Sequence, residues 1–233
     1  MPTTNAALPR DPGGAGPATD VRVTDVPTRH GRAVAHVRAI AGSPGTLVLG
    51  HGAGGGVAAP DLVAVTAAAT AAGWSVVLVE QPYRAAGRKA PPRAAVLDEA
   101  WADVVAWLRE HGVTGLSGTP GTGTAASGLL VTGGRSAGAR VACRTARVTG
   151  ADGVLALAFP VQPPGRPDRP SRLSELAAVD VPTLVVQGAT DPYGTPPPGP
   201  GRAVVVVPGD HALKRDVTAV ADAVVSWVRS LAV

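Results

Sequence analysis

Two kinds of apolar patterning divide this chain. Val21 to Val26 and Ala33 to Ala39 alternate apolar and polar positions at period two, with Thr28 to Gly31 between them. That alternation predicts an antiparallel hairpin with one face buried. From residue 46 the pattern changes. Thr46–Leu49, Ser75–Val79, Leu129–Thr132, Gly153–Ala158, Pro182–Gln187 and Ala203–Val207 are short, nearly continuous apolar runs. Helical patterns separate most of them, near 60–72, 94–111, 137–148 and 171–178, and a last one places Val217, Val220, Ala221, Val224, Trp227, Val228 and Leu231 on a single stripe. Strands without alternation, interleaved with helices, predict a mostly parallel sheet covered on both faces.

The connecting segments refine this picture. Glu80–Pro92 and Pro160–Pro170 read as loops, and Gly112–Gly128, rich in Gly, Thr and Ser, as a flexible surface loop. Residues 1–20 are Pro-, Gly- and Ala-rich with no apolar core, which predicts a disordered leader and no signal peptide. Residues 21–233 then form one domain, a length that suits a single core. Aromatic residues are only 3% of the 233, so that core must be built from Val, Leu and Ala. The net charge of +4 is spread over scattered arginines, without the basic stripe or module of a nucleic-acid binder. Cys143 is the one cysteine, so an intrachain disulfide is impossible and a reducing cytoplasm is the expected location. No apolar stretch reaches membrane-spanning length.

Chemistry gathers where a parallel sheet would place it. In open α/β sheets, sites form beyond the carboxyl ends of the strands. The run 129–132 is followed by Gly134-Arg135-Ser136-Ala137-Gly138 and then an Ala-rich helical pattern, so Ser136 stands at the apex of a strand–turn–helix. Such a turn lifts a nucleophile clear of its own backbone, and a Cβ at either flanking position would crowd the neighbouring strand and helix. Asp191 follows the run 182–187, and His211 follows 203–207. A serine hydroxyl needs an imidazole to take its proton, and the imidazole needs a carboxylate to hold its tautomer. Ser136, His211 and Asp191 fit those three roles, in the chain order Ser, Asp, His. Asp210 is the competing acid, disfavoured because adjacent side chains diverge. The backbone N–H groups of Ala137 and Ala53, the latter in the Gly-rich run after strand 46–49, are candidates for an oxyanion hole. His51 is expected to shape that loop at the substrate rim, and Arg84, Arg88, Arg166 and Arg169 to line the rim and favour an anionic substrate if they act at all. Neither Gly-rich run continues to Gly-Lys-Ser/Thr, and no His, Cys or Asp cluster has metal-ligand spacing, so neither cofactor nor metal is expected.

Six stretches recur together: Gly50-His51-Gly52-Ala53-Gly54-Gly55, Gln81-Pro82-Tyr83-Arg84-Ala85-Ala86-Gly87-Arg88, Gly133–Arg140, Phe159–Pro167, Gln187–Gly194 and Gly209-Asp210-His211. Over roughly residues 45–230 the chain resembles a small α/β-hydrolase family close to dienelactone-hydrolase-like proteins. That family shares its hydrolase-like domain with an NSL chromatin-complex subunit and a testis-expressed protein. The resemblance implies an α/β-hydrolase fold with a mostly parallel central sheet, helices on both faces and no large lid. It also implies Ser136, Asp191 and His211 as a catalytic triad. The expected activity is hydrolysis of a small or soluble carboxylic ester through an acyl-enzyme, although lactone opening or peptide cleavage would use the same triad. The other reading is a non-catalytic binding or scaffold domain that keeps the fold. Two departures stand out. Gln162 occupies a position where family members carry His, and the Pro-rich 195–201 replaces a helix, which predicts a tighter connection behind Asp191.

Overall fold

The computed structural model describes residues 21–113, 128–166 and 168–232; the expected leader at 1–20 and most of the expected loop at 112–128 lie outside these. The hairpin forms as β1 (Arg22–Thr28) and β2 (Gly31–Arg38), paired antiparallel. Then follow β3 (Gly45–Gly50), α1 (Pro60–Ala71), β4 (Ser75–Glu80), α2 (Pro82–Ala85), α3 (Ala94–Glu110), β5 (Leu129–Arg135) and α4 (Ala137–Thr149). The chain continues through β6 (Gly153–Leu157), α5 (Leu173–Ala177), β7 (Thr183–Gly188), β8 (Arg202–Val207) and α6 (Val217–Leu231). The eight strands form one sheet in the order β1-β2-β4-β3-β5-β6-β7-β8. β2 pairs antiparallel with both β1 and β4; β4, β3, β5, β6, β7 and β8 are joined, in that order, by parallel pairings.

The continuous apolar runs are explained by which face each residue serves. Leu47, Leu49, Val76, Leu78, Leu155, Leu157, Leu184 and Val186 point to the side covered by α1 and α6, where they meet Leu62, Val65, Val220, Val224 and Val228. Their neighbours Val48, Val77 and Val79 point to the opposite side and pack with Trp101, Val104, Val105 and Leu108 of α3 and Val141 of α4. Farther along that face, Val154, Ala156 and Val185 meet Ala139, Ala142 and Cys143 of α4. In the central strands β3 and β7 every residue is thus buried, and no polar position is needed there except Thr and Gln toward the ends of the runs, whereas the edge strands β1 and β8 keep exposed positions. Burying one such Val or Leu contributes roughly 1.5–3 kcal/mol.

Two expectations change. Glu80–Pro92 is not all loop: Pro82 starts a four-residue helix, a position where its missing N–H costs nothing. The strand before Ser136 does not end at Thr132 but runs to Arg135, so α4 begins one residue after the serine. Gly133 and Gly134 suggest a turn in the sequence. In the fold they are strand residues squeezed between neighbours, since an added Cβ would lie 2.4 Å from Leu155 O at the first and 2.3 Å from Gly50 O at the second.

Candidate active site

Ser136 is where β5 turns into α4 with no intervening loop. Its φ of 54° is in the left-handed region, which an L-residue adopts at a cost of order 1–3 kcal/mol. The surroundings hold it there: Ser136 N–H donates to Leu157 O at 2.8 Å, and Gly138 presses so close to β3 that a Cβ would lie 2.5 Å from Gly50 O.

The loops after β7 and β8 meet this turn. His211 Nδ1 lies 2.8 Å from Asp191 Oδ2, and His211 Nε2 lies 2.9 Å from Ser136 Oγ. A carboxylate only accepts, so Nδ1 carries the proton and Nε2 is left to accept from the serine hydroxyl. The Asp191 side chain is wholly buried, and the His211 side chain is 20% exposed. Asp191 Oδ1 accepts from Tyr193 N–H at 2.9 Å, and the Tyr193 ring packs against the imidazole at a tilt of 36° with ring centroids 4.3 Å apart.

The Pro-rich stretch does not disturb this placement, because Asp191 is set upstream of it. Ala189 N–H donates to Val207 O and Thr190 N–H to Gly209 O, tying the acid loop to the end of β8 before residue 195 is reached. Gly188 is tight against the same loop, where a Cβ would meet Asp210 O at 2.4 Å. Asp210 accepts from Ala212 N–H at 2.9 Å and shapes a turn. The Gln162 side chain donates to Arg169 O at 3.0 Å within its own loop, and its backbone N–H donates to Tyr193 O at 3.0 Å.

The Gly-rich loop after β3 packs beside the turn. Gly52 lies against Ser136 and Arg135, and Tyr83 Oη donates to Ala53 O at 2.9 Å, bracing Ala53 from behind. His51 departs from expectation. It is 3% exposed, so it cannot form a substrate rim; Nδ1 donates to Gly52 O at 2.8 Å, and Nε2 accepts from Gln81 N–H at 3.2 Å. Burial pushes its pKa below the usual value, so His51 is a neutral strut with both nitrogens used. The arginines of the expected rim do not converge either. Arg84 donates to Arg88 O at 3.3 Å, Arg88 borders a separate cavity of about 210 Å³ with His30, Tyr83 and Leu97, and Arg166 faces a cleft shared with Arg140, Arg169 and Arg172 beside α4 and α5. Among the described residues, none of Arg84, Arg88, Arg166 and Arg169 donates a hydrogen bond to Ser136, Asp191 or His211.

Gln187 was not singled out by the sequence. It is a long polar residue near the end of an apolar strand, and it is fully buried. Its Nε2 lies 2.7 Å from Asp191 Oδ2 and 2.9 Å from Gly194 O, so it fixes the carboxylate and the turn after it. An isolated polar residue in an all-apolar strand was the available signal. Cys143 fits the expected apolar role: it is 4% exposed on α4, and burial pushes its thiol up to about 12. Among the described residues, no group of three or more His, Cys, Asp or Glu is disposed to hold a metal, and no helix is long and apolar enough to cross a membrane.

A parallel sheet ending in a strained serine turn, an acid loop and a histidine loop defines the α/β hydrolases. The chain belongs to that family: the model of the alpha/beta hydrolase domain matches residues 43–219. Solved structures share the fold. An alpha-beta serine hydrolase homologue from Coxiella burnetii is 15% identical, with 89% of this chain and 97% of that one covered at a TM-score of 0.67. A serine hydrolase without a lid from Xanthomonas campestris is 19% identical, with 93% and 97% covered and a TM-score of 0.67. A dienelactone hydrolase from Anabaena variabilis is 19% identical, with 91% and 97% covered and a TM-score of 0.66. Among curated proteins, no sequence matches this chain.

Proposed function

We propose that this hydrolase is a serine esterase that cleaves small or soluble carboxylic esters through an acyl-enzyme, with residues 21–233 acting as one domain. The observation that carries the reading is the unbroken hydrogen-bonded chain from buried Asp191 through His211 to Ser136 Oγ, ending on a residue with φ of 54°. In the proposed cycle Ser136 Oγ attacks the ester carbonyl carbon while His211 Nε2 takes its proton. Asp191 stabilises the resulting imidazolium without accepting the proton. The Ala53 and Ala137 amides receive the oxyanion, each contributing about 3–4 kcal/mol to the transition state. The tetrahedral intermediate collapses, the C–O bond to the alcohol breaks, and His211 returns the proton to the leaving oxygen. Water, deprotonated by the same imidazole, then attacks the acyl-enzyme and releases the acid.

Only thirteen residues separate the end of β6 at Leu157 from Ser171, just before α5, which leaves a short connection where a lid domain would stand and supports substrates that arrive from water. The test is turnover of short-chain aryl esters with pre-steady-state sampling. The reading predicts a burst of alcohol release near one equivalent per chain, and a loss of roughly six decades in turnover for Ser136→Ala. Turnover that survives the substitution would overturn it.

A further inference from the structure

We infer that Arg135, the variable residue of the Gly-x-Ser-x-Gly turn, is a positioning residue that holds the main chain of His211 in register with Ser136. The inference rests on the proposed role of His211 as the base. Arg135 ends β5, and its side chain is 17% exposed. Nη2 donates to His211 O at 2.8 Å. Nε lies 3.1 Å from Oδ2 of Asp61, whose side chain is completely buried in the first turn of α1; the contact lacks hydrogen-bond alignment and is ionic in character. The backbone of Gly52 passes over the other arm, where a Cβ would sit 3.1 Å from Nη1. One guanidinium therefore touches the loops after β3 and β8 from the end of β5, and is anchored to α1.

The His211 loop needs such an anchor. It leaves the edge strand β8, and within it Leu213 adopts a φ of 50°. An imidazole turns about its Cα–Cβ bond, so the placement of Nε2 depends on the main-chain frame as well as on Asp191. Asp61 makes the arrangement possible, because a guanidinium left unpaired in that position would bear a desolvation cost. Burial raises the pKa of Asp61, and the neighbouring Arg135 charge opposes that rise. A planar fork can serve two directions at once, whereas an ammonium is a single point of charge.

The test compares Arg135→Lys and Arg135→Met with the wild type. Readouts are kcat and KM on a neutral short-chain aryl ester, the low-field proton resonance of His211 Nδ1–H, and the melting temperature. The inference predicts that kcat falls by up to about a hundredfold in Arg135→Met and by less in Arg135→Lys, with KM within about twofold. The Nδ1–H resonance shifts or broadens in both. A folded Arg135→Lys protein with wild-type kcat and an unchanged resonance overturns it, as does a lower melting temperature with those two readouts unmoved. Should Arg135→Met not fold, Arg135→Lys decides. If the wild type itself turns over no ester, the esterase reading fails, and the resonance alone still judges Arg135: a shift supports the inference and an unchanged signal overturns it.

Discussion

Gly138→Ala offers the sharpest structural test of how the serine turn is held. The added methyl would lie 2.5 Å from Gly50 O, 2.7 Å from Gly50 C and 3.0 Å from His51 O. All three are backbone atoms, so no side chain can swing away. Real Cβ atoms essentially never come closer than 3.0 Å, so the first turn of α4 and the end of β3 must separate by about 0.5 Å. Overpacking of this kind costs about 1–3 kcal/mol, and for a chain of this size each kcal/mol lowers the melting temperature by roughly 2–4 °C. The same movement shifts the Ala137 amide, which the proposed mechanism aims at the oxyanion. A displacement of half an ångström predicts a fall in kcat of about tenfold with KM little changed. Val148→Ala, at a 72% exposed position on the same helix, should move stability by no more than about 0.5 kcal/mol. Thermal melts and steady-state kinetics on the two variants decide the matter. A Gly138→Ala protein that melts with the wild type and keeps its kcat would refute the reasoning.

Further outcomes follow from the neighbouring contacts. Asp191→Asn should keep the fold but lower kcat by about four decades, because an amide can favour the wrong imidazole tautomer; steady-state kinetics with a circular dichroism control measures it. Gln187→Leu removes the buried donor 2.7 Å from Asp191 Oδ2 and should cost about 1–3 kcal/mol in urea denaturation, with a loss of kcat beyond the loss of stability. His51 has a folded-state pKa lowered by burial, so the unfolded chain binds its proton more readily. Stability from this group is complete above about pH 6.5 and falls as pH drops through that value, so the stability gap between wild type and His51→Gln should narrow from pH 7.5 to pH 5; urea midpoints at the two values check this. Cys143, with its thiol raised to about 12 and buried, should resist iodoacetamide at pH 8 in the native protein and react once urea unfolds it, as mass spectrometry would report.

The contrast between what the sequence displays and what it hides has a physical basis. The parallel sheet is legible because residues such as Leu47, Val48 and Leu49 are apolar in succession, which only two-sided burial requires. Ser136, Asp191 and His211 are legible as candidates because each follows such a run, and parallel strands bring their ends to one edge. What hides is anything set by contact across the chain. His51 is legible as a residue that shapes the glycine loop, but not as a buried one, because its environment is made by Gln81, thirty residues on. Nothing in the sequence singles out Arg135, whose partners Asp61 and the carbonyl of His211 lie far from it along the chain. Gly133 and Gly134 mislead for a related reason: glycine breaks strands in isolation, but here Leu155 and Gly50 leave room for nothing larger. The expected consequence of the short Pro-rich loop does not arise, because hydrogen bonds to Val207 and Gly209 fix the acid loop first.

The central claim is that Ser136 is a nucleophile activated by His211. The most direct measurement is covalent labelling of the intact protein by a fluorophosphonate, followed by mass mapping of the modified residue. The account predicts one phosphonate per chain on Ser136, with labelling abolished in Ser136→Ala and slowed by orders of magnitude in His211→Ala. An intact protein that takes up no label, or a Ser136→Ala protein that labels as fast as the wild type, would contradict it.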